Sequence, residues 1–335
     1  MGFWERLISG AEEKPKLRLV FLGEGGDKDR LLNAYREHPQ AEIAAEVPRE
    51  RADEAIRTGG IQAAEIFAPP EQAADLARAC FQAGIHASVP APLAMTMEKA
   101  DELIAAARRH QVTLRVRQPS LYYDPFIKAK EIIASGQAGW ITNLKLMLKI
   151  TSVDDPELDR ADWLIANETS YLGLAEYLVG PVEKVYARLE AKSTNGIPCT
   201  NLVMWKYREK HQYGYLQIDF APGLHVRTAT VPIHRSAEIT GNAAKIFINR
   251  GEGQLLRQPA LMVRTRDRTT AYELIKDDWR DVYPAMAQDM ISAVLLGKGP
   301  RSNAELARRA LRLALAAKKS SVKREEILFP SGPLT

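Results

Sequence analysis

The chain is short of cysteine, of long apolar runs and of charge of one sign, and each shortage closes off a class of protein. Its two cysteines among 335 residues, Cys80 and Cys199, cannot staple a small secreted scaffold and have no pair spacing that would hold zinc. No uninterrupted run of about 18 apolar residues occurs, so no membrane span is expected. The start, Met1-Gly2-Phe3-Trp4-Glu5-Arg6, lacks the apolar core of a signal peptide, and the expected compartment is the cytoplasm. Basic residues number 46 against 42 acidic ones, a net charge of +4 spread along the chain, which implies no nucleic-acid partner. The acidic stretch at 154–162 lacks EF-hand spacing and the six histidines are scattered, so no metal site is expected. What is plentiful is core material: 46% of the residues are hydrophobic, enough for roughly two packed domains.

Strand-like and helix-like pieces alternate from Leu17 onward. Apolar runs at 17–22, 42–47, 64–68, 86–89 and 113–116 are separated by segments of helical composition at 29–38, 49–57, 70–83 and 96–110. In the third of these segments Ala73, Leu76, Ala77, Cys80 and Phe81 fall on one helical face. This alternation predicts a parallel sheet with helices on both faces. After Tyr123-Asp124-Pro125 the pattern changes. A helix to about 135, a strand at 141–150 and a helix at 169–178 lead into short β-rich segments at 184–192, 201–207, 213–220, 224–231, 237–240 and 245–249. These predict a mostly antiparallel sheet, closed by helices at 283–296 and 303–320, the last opened by Ser302 and Glu305 in capping-box spacing. The expected organisation is an N-terminal arm over 1–14, a Rossmann-like domain over 15–123 and a C-terminal α/β domain over 124–335.

Where the first strand meets the first helix stands Gly23-Glu24-Gly25-Gly26-Asp27-Lys28. Glycines at that junction let a pyrophosphate approach backbone N–H groups. The first two glycines of G-x-G-x-x-G are present, but Lys28 occupies the third position, where a small residue normally allows close helix–strand packing. A plain tight turn would read the same way. Glu46, at the end of the second strand, is placed to accept a hydrogen bond from a ribose hydroxyl, or is simply a solvated strand end; Arg49 and Arg51 beside it suit a 2′-phosphate.

The order of pieces resembles the Gfo/Idh/MocA oxidoreductases. The resemblance is carried by the turn at Gly23, by Ala68-Pro69-Pro70 and the helix ending Ala83-Gly84, and by His86 through Pro92-Leu93-Ala94. It continues in Ser135-Gly136-Gln137-Ala138-Gly139 and in 287–320 with Gly297-Lys298-Gly299-Pro300. It implies a Rossmann domain followed by an α/β domain on an open, mostly antiparallel sheet, NAD or NADP, and hydride transfer on a small polyol, sugar or ring compound. It also implies a homo-oligomer built through the C-terminal sheet. The cofactor-binding residues are then Gly23, Gly25, Gly26, Glu46, Pro69, Pro70 and Pro92.

Three departures accompany the resemblance. The Glu-Lys-Pro of typical members is Pro90-Ala91-Pro92 here, without the lysine. The usual aspartate and histidine four residues apart correspond to Ala166 and Ser170. Only 15 residues separate Glu46 from Gln62, too few for the usual strand and helix, so one βα unit of the first sheet is expected to be missing or reduced. The groups left to act as acid or base are Tyr123, Lys149, Glu168 and Ser170, with Tyr122, Lys145 and Tyr171 nearby in sequence. Two other readings stay open: a non-catalytic descendant serving as a binding or regulatory subunit beside a catalytic paralogue, and a redox-neutral lyase or isomerase working in the same cleft.

Overall fold

A computed structural model of the chain describes residues 15–150, 160–189, 199–220, 233–252 and 258–330. The expected arm 1–14, most of the acidic stretch and the expected strand 224–231 lie outside the described residues. The first half runs β1 (Leu17–Gly23), α1 (Lys28–Arg36), β2 (Ala41–Val47), a 3-10 turn (Arg49–Arg51), α2 (Ala52–Ile56), β3 (Ala63–Phe67), α3 (Pro70–Gln82), β4 (His86–Pro90), α4 (Met97–Arg109) and β5 (Leu114–Arg117). The strands form one parallel sheet in the order β2-β1-β3-β4-β5. β1 is buried along almost its whole length, as a parallel strand covered on both faces must be. α3 opens with Pro70 in its first turn and presents Ala73, Ala74, Ala77, Cys80 and Phe81 to the core. Thr96 caps α4, its side chain accepting from the Lys99 N–H at 3.3 Å.

The sheet has five strands, and the crossover from β2 to β3 contains only the 3-10 turn and the five-residue α2. The reduction expected from the spacing of Glu46 and Gln62 is therefore real: among the described residues nothing pairs outside β2. The continuous helix expected at 49–57 is corrected to this shorter pair, because Pro48 holds extended backbone and the charged Arg49–Arg51 turn buries nothing.

The second half runs through a 3-10 turn (Pro119–Tyr122), α5 (Asp124–Ala134), β6 (Ile141–Ile150), α6 (Arg160–Leu172), α7 (Leu174–Leu178), β7 (Val182–Arg188), β8 (Cys199–Tyr207), β9 (Tyr213–Phe220), β10 (Ile233–Gly241), β11 (Ala244–Glu252), β12 (Leu261–Thr265) and β13 (Thr269–Tyr272). After a 3-10 turn (Trp279–Asp281) come α8 (Val282–Leu295), α9 (Ala304–Lys323) and β14 (Ile327–Leu328). Nine strands make one sheet, β13-β12-β11-β10-β6-β9-β8-β7-β14, antiparallel throughout except for the β6–β9 pair. Along β6, Leu144, Leu146, Leu148 and Ile150 are buried while Lys145, Met147 and Lys149 take the other face. The helix expected at 169–178 begins earlier, at Arg160, and breaks at Gly173.

The two sheets are joined by the last helices. α8 packs on α1, and α9 packs on α4, α6 and β7. The outer edge of β5 does not face water: Val116 donates its N–H to the Ser302 carbonyl at 3.1 Å, and Arg115 bridges to Asn303. Here the capping-box reading is corrected. Asn303 caps α9 by accepting from the Leu306 N–H at 2.9 Å. Ser302 turns the other way, donating its hydroxyl to the Val116 carbonyl, with the Gln118 side-chain oxygen 3.0 Å off. Asparagine caps as well as serine does, which frees Ser302 to satisfy a buried strand edge.

Candidate active site

The chain leaves β1 toward β2 on one side and returns to β3 on the other, so a crevice opens at the carboxyl ends of β1 and β3, where open α/β sheets bind ligands. Gly23 is in register with Phe67, and Glu24 donates its N–H to the Phe67 carbonyl at 3.2 Å. A Cβ on Gly23 would stand 1.9 Å from that carbonyl oxygen, so only glycine lets the strands meet there. Gly25 and Gly26, at φ +94° and +59°, face open space: a Cβ on either would meet nothing within 4 Å. Asp27 follows at the N-cap of α1 and makes no side-chain cap bond.

A cleft of about 380 Å³ opens over this turn. Its floor and walls include Glu24, Gly25, Gly26 and Asp27 from the β1–α1 turn, Phe67, Ala68 and Pro69 from the β3–α3 turn, Pro90 and Ala91 at the end of β4, Arg117 at the end of β5, Asn167 and Ser170 on α6, and Tyr283 and Met286 on α8. A second cleft of about 270 Å³, lined by Gly23, Arg49, Glu50 and Gln72, shares Glu24, Phe67, Ala68 and Pro69 with the first. The two form adjoining compartments on either side of the glycine turn.

The sequence-derived candidates distribute unevenly over these clefts. Gly23, Gly25, Gly26 and Pro69 line one or both. Pro70 is the first residue of α3, and Pro92 follows Ala91 through a cis peptide bond. Glu46 lines neither; its carboxylate is held by Lys28 at 2.8 Å and Arg36 at 3.5 Å. Lys28, whose side chain is only 7% exposed, also reaches Glu24 at 3.0 Å. Burial alone would lower its pKa, but the bonds to Glu46 and Glu24 outweigh that and raise it. The residue that breaks the glycine motif thus works as a buried clasp between the turn and β2.

Of the four acid–base candidates, Ser170 alone lines the cleft, and its Oγ is buried without a hydrogen-bond partner among the described residues. Tyr123 is buried beside Phe126 and donates its hydroxyl to the Asp277 carbonyl. Lys149 pairs with Asp219 at 2.9 Å across β6 and β9. Glu168 is buried against Arg235, with side-chain bonds of 2.6 and 3.2 Å; burial raises its pKa and the guanidinium pulls it back only in part. Tyr122, Lys145 and Tyr171 are likewise engaged, with Asp289, Glu238 and the Ser236 carbonyl.

One charged residue of the cleft escaped the sequence reading altogether. Arg117 is 8% exposed, and its Nη1 donates to the Glu65 carboxylate at 2.9 Å and to the Ser88 carbonyl at 3.0 Å. Its guanidinium lies 4.1 Å over the Phe67 ring. Glu65, fully buried on β3, also accepts from Arg115 and from the Tyr35 hydroxyl at 2.7 Å. The signal was present: a lone glutamate inside Ala-Ala-Glu-Ile-Phe, in a fully buried strand, demands cationic partners.

Comparison with known proteins agrees with this geometry. Residues 27–118 match the Gfo/Idh/MocA model, described as the oxidoreductase family with an NAD-binding Rossmann fold. The uncharacterized oxidoreductase YrbE of Bacillus subtilis (strain 168) is 29% identical over 136 residues; the match spans 38% of this chain and 38% of that protein, well under half of either. Three solved structures share the fold over nearly their whole length. An oxidoreductase from Agrobacterium radiobacter in complex with NAD+, L-tartaric acid and magnesium gives a TM-score of 0.78 at 14% identity, covering 93% of this chain and 98% of that one. An NAD binding oxidoreductase from Klebsiella pneumoniae gives 0.76 at 16%, covering 95% and 100%. Levoglucosan dehydrogenase in complex with NADH and levoglucosan gives 0.76 at 17%, covering 94% and 100%. Over residues 27–118 the chain is thus similar to the Gfo/Idh/MocA oxidoreductases with their NAD-binding Rossmann fold, and over nearly its whole length it shares the fold of these three structures.

Proposed function

We propose that this protein is an NAD(P)-dependent oxidoreductase acting on a small hydroxylated substrate, a polyol, sugar or ring compound, in the cleft over the glycine turn. One observation carries the reading: Gly25 and Gly26 keep their backbone open to a ligand at the switch point of the sheet, at the start of α1. The residues present fit a dinucleotide. The glycine turn and the first N–H groups of α1 would hold the pyrophosphate, the compartment lined by Arg49 and Gln72 the adenosine end, and the compartment lined by Ala91, Arg117 and Ser170 the nicotinamide and substrate. When bound, the nicotinamide supplies the hydride chemistry for interconverting an alcohol and a carbonyl. Ser170 would meet the reacting hydroxyl only after a turn of its side chain, since its Oγ is buried and without a hydrogen-bond partner among the described residues, and the apolar walls of Phe67, Pro69 and Met286 would keep water from the reacting carbon.

The competing reading, a non-catalytic subunit, is favoured by the cleft lining, which among the described residues includes no lysine and no histidine. Turnover separates the two. Purified protein with NAD+ or NADP+ and a panel of polyols, sugars and cyclitols, extended to their acids, is expected to reduce the nicotinamide. Tight dinucleotide binding with no turnover on any member would leave the subunit reading in its place. The exposed face of the second sheet, which carries Met204 and Tyr213, supports a homo-oligomer; sedimentation as a monomer at micromolar concentration would remove that part of the proposal.

A further inference from the structure

We propose that Arg117 makes the substrate end of this cleft a carboxylate site, so that the ligand it takes is a hydroxy acid and not the corresponding neutral polyol. The inference rests on reading the cleft as a substrate site, and it narrows the substrate class of that site. Arginine stays charged at any physiological pH, and its planar fork of N–H groups matches a carboxylate. Three of Arg117's five N–H groups are committed, to Glu65, to the Ser88 carbonyl and to the Ile66 carbonyl, which leaves two without a hydrogen bond among the described residues. Those committed bonds, with the Phe67 ring beneath the guanidinium, fix the side chain in place before any ligand arrives.

The local charges leave Arg117 available. Glu65 is shared with Arg115, so two guanidiniums divide one carboxylate. The two carboxylates lining the cleft, Glu24 and Asp27, stand on the glycine-turn side and pair with Lys28 and Arg30 at 3.0 and 3.3 Å. Position supports the same assignment. Arg117 is in register with Pro90, immediately before Ala91, so a cation sits one strand away from the place where this chain lacks one. An arginine there cannot give up a proton, which makes it a holding group and not an acid or base. Ser170 on the facing helix lines the same cleft, its Oγ buried and without a hydrogen-bond partner among the described residues.

The test uses pairs that differ only in the acid: D-gluconate against D-glucitol, and tartrate against threitol. Binding is measured by calorimetry and thermal shift on the full-length protein, with and without saturating NADH or NADPH. At least tenfold tighter binding of the acids is expected, with the preference reduced in Arg117→Lys and lost in Arg117→Met. Because Arg117→Met removes one partner of a buried pair, circular dichroism must first confirm its fold; if it does not fold, the wild-type pairs and Arg117→Lys decide. Equal or tighter binding of the alcohols, no acid binding up to about 10 mM, or a preference that survives in folded Arg117→Met would each overturn the proposal. Acid binding in a protein that takes no dinucleotide would leave Arg117 standing while removing the dehydrogenase reading.

Discussion

Gly23 and Gly25 lie two residues apart in one turn and do opposite work. Gly23 lets β1 and β3 close on each other, whereas Gly25 leaves an opening for a ligand. Alanine at 23 would force its Cβ against the Phe67 carbonyl at φ +95°, and denaturant titration should record a loss of about 2–4 kcal/mol. Alanine at 25 meets no atom, so its cost is backbone strain of about 1–2 kcal/mol. That variant should stay folded yet bind NADH and NADPH at least tenfold more weakly. Equal stability losses in the two variants, or undiminished cofactor binding in Gly25→Ala, would contradict the division of roles. At this scale the glycines were legible, because a turn between strand and helix has a local signature. Arg117 was not: Leu-Arg-Val-Arg reads as a strand with two solvated positions, and the carboxylate that draws both arginines inward lies some fifty residues earlier.

Among the elements, β3, β4 and β5 are tied by a polar network at the centre of the first sheet. Glu65 on β3 holds both arginines of β5, and Ser88 on β4 bonds each of them. Removing the carboxylate charge leaves two guanidiniums uncompensated in a buried site, so Glu65→Gln should cost about 3–5 kcal/mol in a urea melt. A loss below about 1 kcal/mol would mean that the network is solvated and does not hold Arg117 in place. The elements themselves were largely readable, since buried parallel strands and one-faced helices carry their periodicity locally. Even the missing βα unit could be counted from the gap between Glu46 and Gln62. The errors fell where local pattern is ambiguous: at the 3-10 turn after Pro48, at the helix expected from 169 that begins at Arg160 and breaks at Gly173, and at the start of α9, where Ser302 and Asn303 are both competent caps.

At the scale of the whole molecule, the chain's end binds its beginning. Arg115 reaches the Met286 carbonyl on α8, Arg308 on α9 pairs with Asp101 on α4, and Arg108 pairs with Glu305 at 2.6 Å. With Ser302 and Asn303 sealing β5, the two sheets are expected to melt in one transition, with far-ultraviolet and tryptophan signals coincident. Two resolved transitions would show that the junction is weaker than these contacts imply. These long-range pairings are what a sequence read segment by segment does not contain, and they also bring Tyr283 and Met286 over the glycine turn to complete the cleft. The central claim is that this cleft takes a nicotinamide dinucleotide, and it is tested most directly by titrating the purified protein with NADH and NADPH while following nucleotide fluorescence and melting temperature together. The account predicts micromolar binding of at least one of them, a matching rise in melting temperature, and loss of both effects in Gly25→Ala. A folded protein that binds neither up to about a millimolar would contradict it.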